Sequence, residues 1–281
     1  MNYRQLLTEN FKKHNSLICM GMDPILSKIP VEEKNVSKRI YKFYEKILNE
    51  IIHKNVYPSC VKPNYAFYAR YGFEGIEALY NLIKLYKDNG LPVILDVKRG
   101  DIGTTAEAYA EESFDFFSAD AVTLSPYLGR DSITPFSLKY PDKGYYVLCK
   151  TSNKSSGEIQ DLLVSGKPLY LVVAQFLAGL SIDGIGAVAG ATYPDQLKAI
   201  LDESSNSGNI LPLLIPGIGT QGGDLKSIVS IIKSYNLPLH RINASSSINF
   251  AYEKYGGDFA SAAVTEISKL NTEISDILAT I

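Results

Sequence analysis

The densest chemistry in the chain lies in Pro92-Val93-Ile94-Leu95-Asp96-Val97-Lys98-Arg99-Gly100-Asp101-Ile102-Gly103-Thr104-Thr105. Pro92 and the three apolar residues after it read as a short strand buried on both faces. The character then inverts, with Asp96, Lys98 and Asp101 arriving together and Arg99 between them. On a strand, side chains at i and i+2 point the same way, so Asp96 and Lys98 project together. Asp101 follows on the loop past the strand end, and the Thr pair opens a helix. Unpaired charges at the mouth of a buried strand are expensive, and acids and bases with mutually perturbed pKa values concentrate at functional sites. The pattern therefore reads as an acid–base site, not a solvated strand exit.

The elements that position it follow from periodicity. Apolar runs at 17–22, 59–62, 92–97, 121–124, 144–149, 184–188, 211–215 and 240–243 read as strands. Between them, helical spacing of apolar residues predicts helices at 38–53, 75–87, 105–117, from 131, and at 169–180, 194–204 and 225–235. A short helix at 3–13 leads the chain, a polar loop spans 150–167, and the remainder from 250 is mostly helical. Eight strands alternating with helices and no dividing linker predict a single α/β domain over 1–281, a closed (β/α)8 TIM barrel. An open doubly wound sheet is the alternative, and no G-x-G-x-x-G follows the first strand to favour it. In a barrel, functional residues gather at the C-terminal ends of the strands.

Five strand exits meet that demand: Asp23, Lys62, Asp96 with Lys98, Ser152, and the turn Pro216-Gly217-Ile218-Gly219-Thr220-Gln221-Gly222-Gly223. A glycine-rich strand-to-helix turn lets backbone N–H groups approach an anion, and the following helix adds its positive dipole end. Barrels commonly hold phosphate at the loops after strands seven and eight. Taken singly, each exit has an ordinary structural explanation as a turn, a snorkelling lysine or a cap. Independent loop residues have no reason to complete one site, and the joint pattern decides.

Composition narrows the class. Of 281 residues, 46% are hydrophobic and 21% charged, ordinary for a globular protein. The formal charge of −2 argues against a nucleic-acid or anionic-membrane partner. Cys19, Cys60 and Cys149 lack metal-ligand spacing and sit in apolar runs, so they are expected buried and reduced, which fits a cytoplasmic setting. The first fifteen residues carry no apolar signal core, and no window approaches the ~18 apolar residues of a membrane span.

Asp96-Val-Lys98-Arg-Gly-Asp101-Ile-Gly-Thr-Thr105 resembles the D-x-K-x-x-D-I-x-x-T signature of the orotidine 5′-phosphate decarboxylases, and its KRGDIG form resembles the longer-chain branch of that family. Leu-Gly-Arg-Asp131 and Lys-Thr-Ser-Asn153 carry the same likeness, which extends over nearly the whole chain. The resemblance implies decarboxylation of orotidine 5′-phosphate to UMP and CO2, the last step of de novo pyrimidine nucleotide synthesis, without metal or organic cofactor. It makes Lys98 the proton donor to the C6 carbanion, within a Lys62–Asp96–Lys98–Asp101 tetrad. Asp23 matches the ribose-contacting acid, Ser152 the serine on the pyrimidine edge, and Gln221 the glutamine spanning base and phosphate. Pro216, Gly217 and Gly219 belong to the phosphate turn. Asp101 and Thr105 would reach into the neighbouring subunit's site, implying a homodimer with shared active sites.

The chain departs from the family in two places. Ser125 stands where Asn is usual. Asn243-Ala-Ser-Ser246-Ser-Ile248 places Ser246 where the family has a phosphate-clamping arginine, and a hydroxyl does not replace a bidentate guanidinium. Arg241 and Arg130 are the basic residues nearest in sequence and motif, and neither is a convincing substitute. Two alternatives follow: a Mg²⁺-dependent sugar-phosphate lyase or decarboxylase of the same suprafamily, and a catalytically weakened nucleotide-binding paralogue.

Overall fold

A computed structural model describes residues 1–218 and 224–280. The strands are β1 (Ile18–Met22), β2 (Cys60–Pro63), β3 (Ile94–Arg99), β4 (Ala121–Leu124), β5 (Gly144–Lys150), β6 (Ile185–Ala189), β7 (Leu213–Pro216) and β8 (Arg241–Ala244). All pair in parallel, in the order β2-β1-β8-β7-β6-β5-β4-β3. Two parallel bridges, Val61 with Val93 and Asn64 with Asp96, join β2 to β3 and close the ring. The expected TIM barrel is what the chain forms.

Its interior is layered because side chains alternate along a strand. Cys19, Cys60, Ile94, Ala121, Tyr146, Val188 and Leu214, one from each of β1 to β7, pack into an apolar floor. Tyr3 and Leu7 of the leading helix, Tyr3–His14, seal that floor from below. Arg241 belongs here too: it is fully buried, and its guanidinium donates to the carbonyls of Leu7 (2.6 Å), Pro238 (2.8 Å) and His240 (2.8 Å). It ties the leading helix to β8 at the closed end. Two residues further along the strands, the inward positions become Lys62, Asp96, Thr123, Leu148, Pro216 and Asn243. The barrel thus changes from apolar to polar in one layer.

The flanking helices bury their stripes against the outer face of the sheet. Ile40, Phe43, Tyr44, Ile47, Leu48 and Ile51 of the helix Val36–Lys54 form one such stripe, and the long helix Phe259–Thr280 packs beside it. Three expectations change in detail. The helix expected from 131 is a short segment, Thr134–Lys139, after a 3-10 turn. The helix expected over 105–117 begins at Gly103 and ends in a π-helical turn, Glu112–Phe116. The loop after β5 contains a helical turn, Gly157–Gln160, and a two-residue hairpin. The three cysteines are buried and unpaired, as expected. No helix among the described residues is long and apolar enough to cross a membrane.

Candidate active site

The polar layer floors a cavity of about 710 Å³ at the C-terminal ends of the strands, within the range of small-molecule sites. A larger groove, about 1010 Å³, follows the flank of the helix Phe259–Thr280. None of the residues predicted for the site lines that groove. Asp23, Lys62, Asp96, Lys98, Ser152, Pro216, Gly217 and Ser246 all line the barrel-mouth cavity, so the charges decide which of the two is the candidate.

Asp96 is the hub. Its Oδ2 accepts from Lys62 Nζ at 2.8 Å, and its Oδ1 accepts from Lys98 Nζ at 2.6 Å. The Asp96 and Lys62 side chains are nearly inaccessible, whereas that of Lys98 is 47% exposed and reaches into open space. Burial alone would raise the Asp96 carboxyl, but Lys62 and then Lys98 outweigh it and hold it well below the ordinary carboxylate range. Burial alone would depress Lys62; Asp96 and then Asp23 reverse this and hold its ammonium above the ordinary lysine value. The array is therefore a buried carboxylate between two ammonium groups, one of them on a half-exposed side chain that lines the cavity.

The strand that carries it is not regular. Leu95 pairs with Val122, but the next pairing joins Arg99 to Leu124, so β3 spends four residue steps where β4 spends two. Within this bulge Lys98 adopts φ +49°, a left-handed conformation unfavourable for a side chain other than glycine. Bulges of this kind re-aim side chains beside active sites. Arg99 turns outward, where it forms a bidentate pair with Glu112 and lies over the Tyr109 ring at 4.2 Å.

Around this hub, Asp23 lines the cavity, and its Oδ1 is buried with no hydrogen-bond partner among the described residues. Ser152 is set by a close backbone approach: a Cβ on Gly190 would stand 2.8 Å from the Ser152 Cα. Gly217 carries φ +107°, which only glycine adopts readily. Gly219 and Gln221 lie outside the described residues. Asp101 and Thr105 do not line the cavity of their own barrel. Asp101 Oδ1 accepts from the Ile102 amide at 2.8 Å, and Thr105 is exposed.

Sequence reasoning missed Thr123, Asn243 and the Thr151–Gln160 pair. Gln160 accepts from the Thr151 amide at 2.9 Å and donates to its hydroxyl at 2.8 Å, closing the β5 loop over one wall. Asn243 Oδ1 is buried without a partner among the described residues. The signal for Thr123 and Asn243 was available: each is two residues beyond a floor residue of its strand, so each points into the same layer as Lys62 and Asp96.

A closed (β/α)8 barrel with a Lys–Asp–Lys array at its strand ends defines the class: a barrel with a charged small-molecule site at the open end of its strands. Comparison with known proteins makes this specific. Residues 16–233 match the family model described as orotidine 5′-phosphate decarboxylase / HUMPS family. The chain is 39% identical over 281 residues to an orotidine 5′-phosphate decarboxylase of Roseiflexus sp., covering 99% of both chains. It is 41% identical over 254 residues to one of Dechloromonas aromatica, covering 89% of this chain and 91% of that one. A solved structure of a putative orotidine-monophosphate-decarboxylase from Toxoplasma gondii superposes with a TM-score of 0.82 at 32% identity, covering 99% of each chain. This chain belongs to the orotidine 5′-phosphate decarboxylase / HUMPS family.

Proposed function

We propose that this protein decarboxylates orotidine 5′-phosphate to UMP and CO2, with Lys98 as the proton donor. The observation that carries the reading is the Lys62–Asp96–Lys98 array at the floor of the barrel-mouth cavity. Loss of CO2 breaks the bond between C6 and the carboxylate carbon and leaves the electron pair on C6, where it is little delocalised. An ammonium held beside that carbon stabilises the charge and then transfers its proton to it; water returns a proton to the lysine. Asp96, kept ionised by its two lysines, faces the substrate carboxylate and disfavours the bound anion more than the transition state, in which that charge is leaving. Both Asp96 oxygens are committed to ammonium groups, which disfavours the Mg²⁺-dependent alternative.

The remaining roles follow the family resemblance. Asp23, which lines the cavity, accepts from the ribose hydroxyls. Ser152 meets the pyrimidine edge, and Gln221 spans base and phosphate. The phosphate occupies the end lined by Pro216, Gly217 and Ser246. Apart from Lys62 and Lys98, no lysine or arginine lines the cavity among the described residues, and residues 219–223 include none. Arg241 is committed to the barrel floor and Arg130 is exposed on another loop. The phosphate is therefore held by amides and hydroxyls, a weaker grip than a guanidinium. Asp101 and Thr105, turned away from their own cavity, complete the site of a second copy in a homodimer. A monomer by sedimentation at assay concentration, with full activity, rules that out.

The deciding experiment follows loss of the orotate chromophore of orotidine 5′-phosphate in EDTA. Turnover unaffected by chelation supports the reading. Turnover that EDTA abolishes points to the metal-dependent lyase, and binding of UMP without any turnover to the paralogue.

A further inference from the structure

We propose that Thr123 is a positioning residue, whose single hydroxyl holds the Asp96 carboxylate and the bulged backbone of Lys98 in their working geometry. The inference rests on the reading above, in which those two groups act on the substrate.

The argument begins with unpaired amides. Where β3 bulges, the amides of Val97 and Lys98 lose register with β4, and a buried N–H without an acceptor is costly. Both instead donate to one atom, Thr123 Oγ1, at 3.0 and 2.9 Å. A threonine hydroxyl has two lone pairs and one hydrogen. An amide can only donate, so both lone pairs are taken and the direction of the hydrogen is forced. It goes to Asp96 Oδ1, 2.9 Å away, the same oxygen that accepts from Lys98 Nζ at 2.6 Å.

The consequence is a closed loop of constraints. The hydroxyl fixes the amide of Lys98 at a backbone angle of +49°, and through its own hydrogen it fixes the carboxylate that the Lys98 ammonium meets. Backbone strain of this kind persists only where the surroundings over-determine it, and Thr123 supplies three of the hydrogen bonds that do so. Thr123 itself is buried on the inward face of β4, and its bond to Asp96 is buried with it.

The test compares Thr123→Val, Thr123→Ala and Thr123→Ser in the full-length protein. Removing the hydroxyl forfeits a hydrogen bond to a charged group and strands two amides, so kcat for Thr123→Val and Thr123→Ala should fall by about 10- to 100-fold. UMP affinity should stay within about threefold. Thr123→Ser keeps the oxygen and should retain kcat within about threefold. Should Thr123→Val not fold, Ser against Ala carries the comparison, since these two differ by the hydroxyl alone. Amide hydrogen exchange at Val97 and Lys98 gives a readout independent of turnover: protected in wild type and Thr123→Ser, faster in Thr123→Ala. A wild-type kcat without the hydroxyl, or a serine variant as slow as the alanine variant, overturns the proposal. If the wild-type protein turns over no orotidine 5′-phosphate, the reaction assignment fails by itself, and unchanged exchange in Thr123→Ala then overturns the positioning role.

Discussion

Replacing Lys98 by alanine should separate catalysis from folding. The Lys98 side chain is 47% exposed, and its pairing with Asp96 at 2.6 Å is shared with Lys62 at 2.8 Å on the other oxygen. An ion pair open to solvent on one side contributes about 0–1 kcal/mol, and Asp96 keeps Lys62 and Thr123 as partners. The free energy of unfolding should therefore move by no more than about 1 kcal/mol. The chemical loss is of another order. A positioned general acid contributes about 10²- to 10⁴-fold, and one preorganised charge on a developing anion about 10²- to 10³-fold. With Lys98 supplying both, kcat should drop by about 10⁴- to 10⁷-fold. Chromophore loss at saturating substrate measures this, with UMP calorimetry and urea unfolding run on the same preparation. Lys98→Gly supplies a control drawn from the backbone. The φ of +49° strains a non-glycine residue by roughly 1–2 kcal/mol and glycine hardly at all. The glycine protein should be equally inactive yet unfold at higher urea than the alanine protein. Turnover within tenfold of wild type in either variant would refute Lys98 as the donor, and a less stable glycine variant would refute the strained backbone.

Two other outcomes are expected. Ser246→Arg should lower KM for orotidine 5′-phosphate by about tenfold or more, since a charge-assisted bond to phosphate contributes about 1.5–3 kcal/mol; an unchanged KM means the phosphate lies elsewhere. Acid should destabilise the fold through His240, which is fully buried. Its Nδ1 accepts from the Leu213 amide at 3.2 Å, and its Nε2 donates to the Tyr235 carbonyl at 2.7 Å. Both nitrogens of the neutral ring are committed, and burial lowers its pKa to about 4 from 6.5. The unfolded chain takes up a proton below pH 6.5 that the folded ring refuses until about 4. This contribution is thus complete above pH 6.5 and lost as the pH falls toward 4, by about 3 kcal/mol in all. Urea midpoints between pH 7 and 4 should show the fall in wild type and a shallower one in His240→Asn; identical slopes would exclude the ring as the cause.

Periodicity and chemistry along the chain were enough to specify the eight strands, the barrel, the open end as the location of the site, and Asp23, Lys62, Asp96, Lys98, Ser152, Pro216 and Gly217 as residues around one cavity, to which the family resemblance added Ser246. These were legible because a strand's alternation and its exit are local properties: knowing that Asp96 ends a buried strand is nearly enough to say where it points. Arg241 shows the limit. Its place two residues before Asn243 on β8 sets only which face it occupies, and the floor contact with the Leu7 carbonyl, 234 positions away, decides that it serves the closed end. Thr123 shows the same limit from the other side. Its inward orientation could be read from its strand, but its role depends on a bulge in a neighbouring strand, and no local pattern announces a slip in register between two chains of hydrogen bonds. That slip places a lysine at φ +49° and hands its amide to a threonine. Local sequence determined which groups reach the mouth of the barrel. Only the closed sheet, by bringing β2, β3 and β4 side by side, decided that one carboxylate would meet two lysines and a hydroxyl at once.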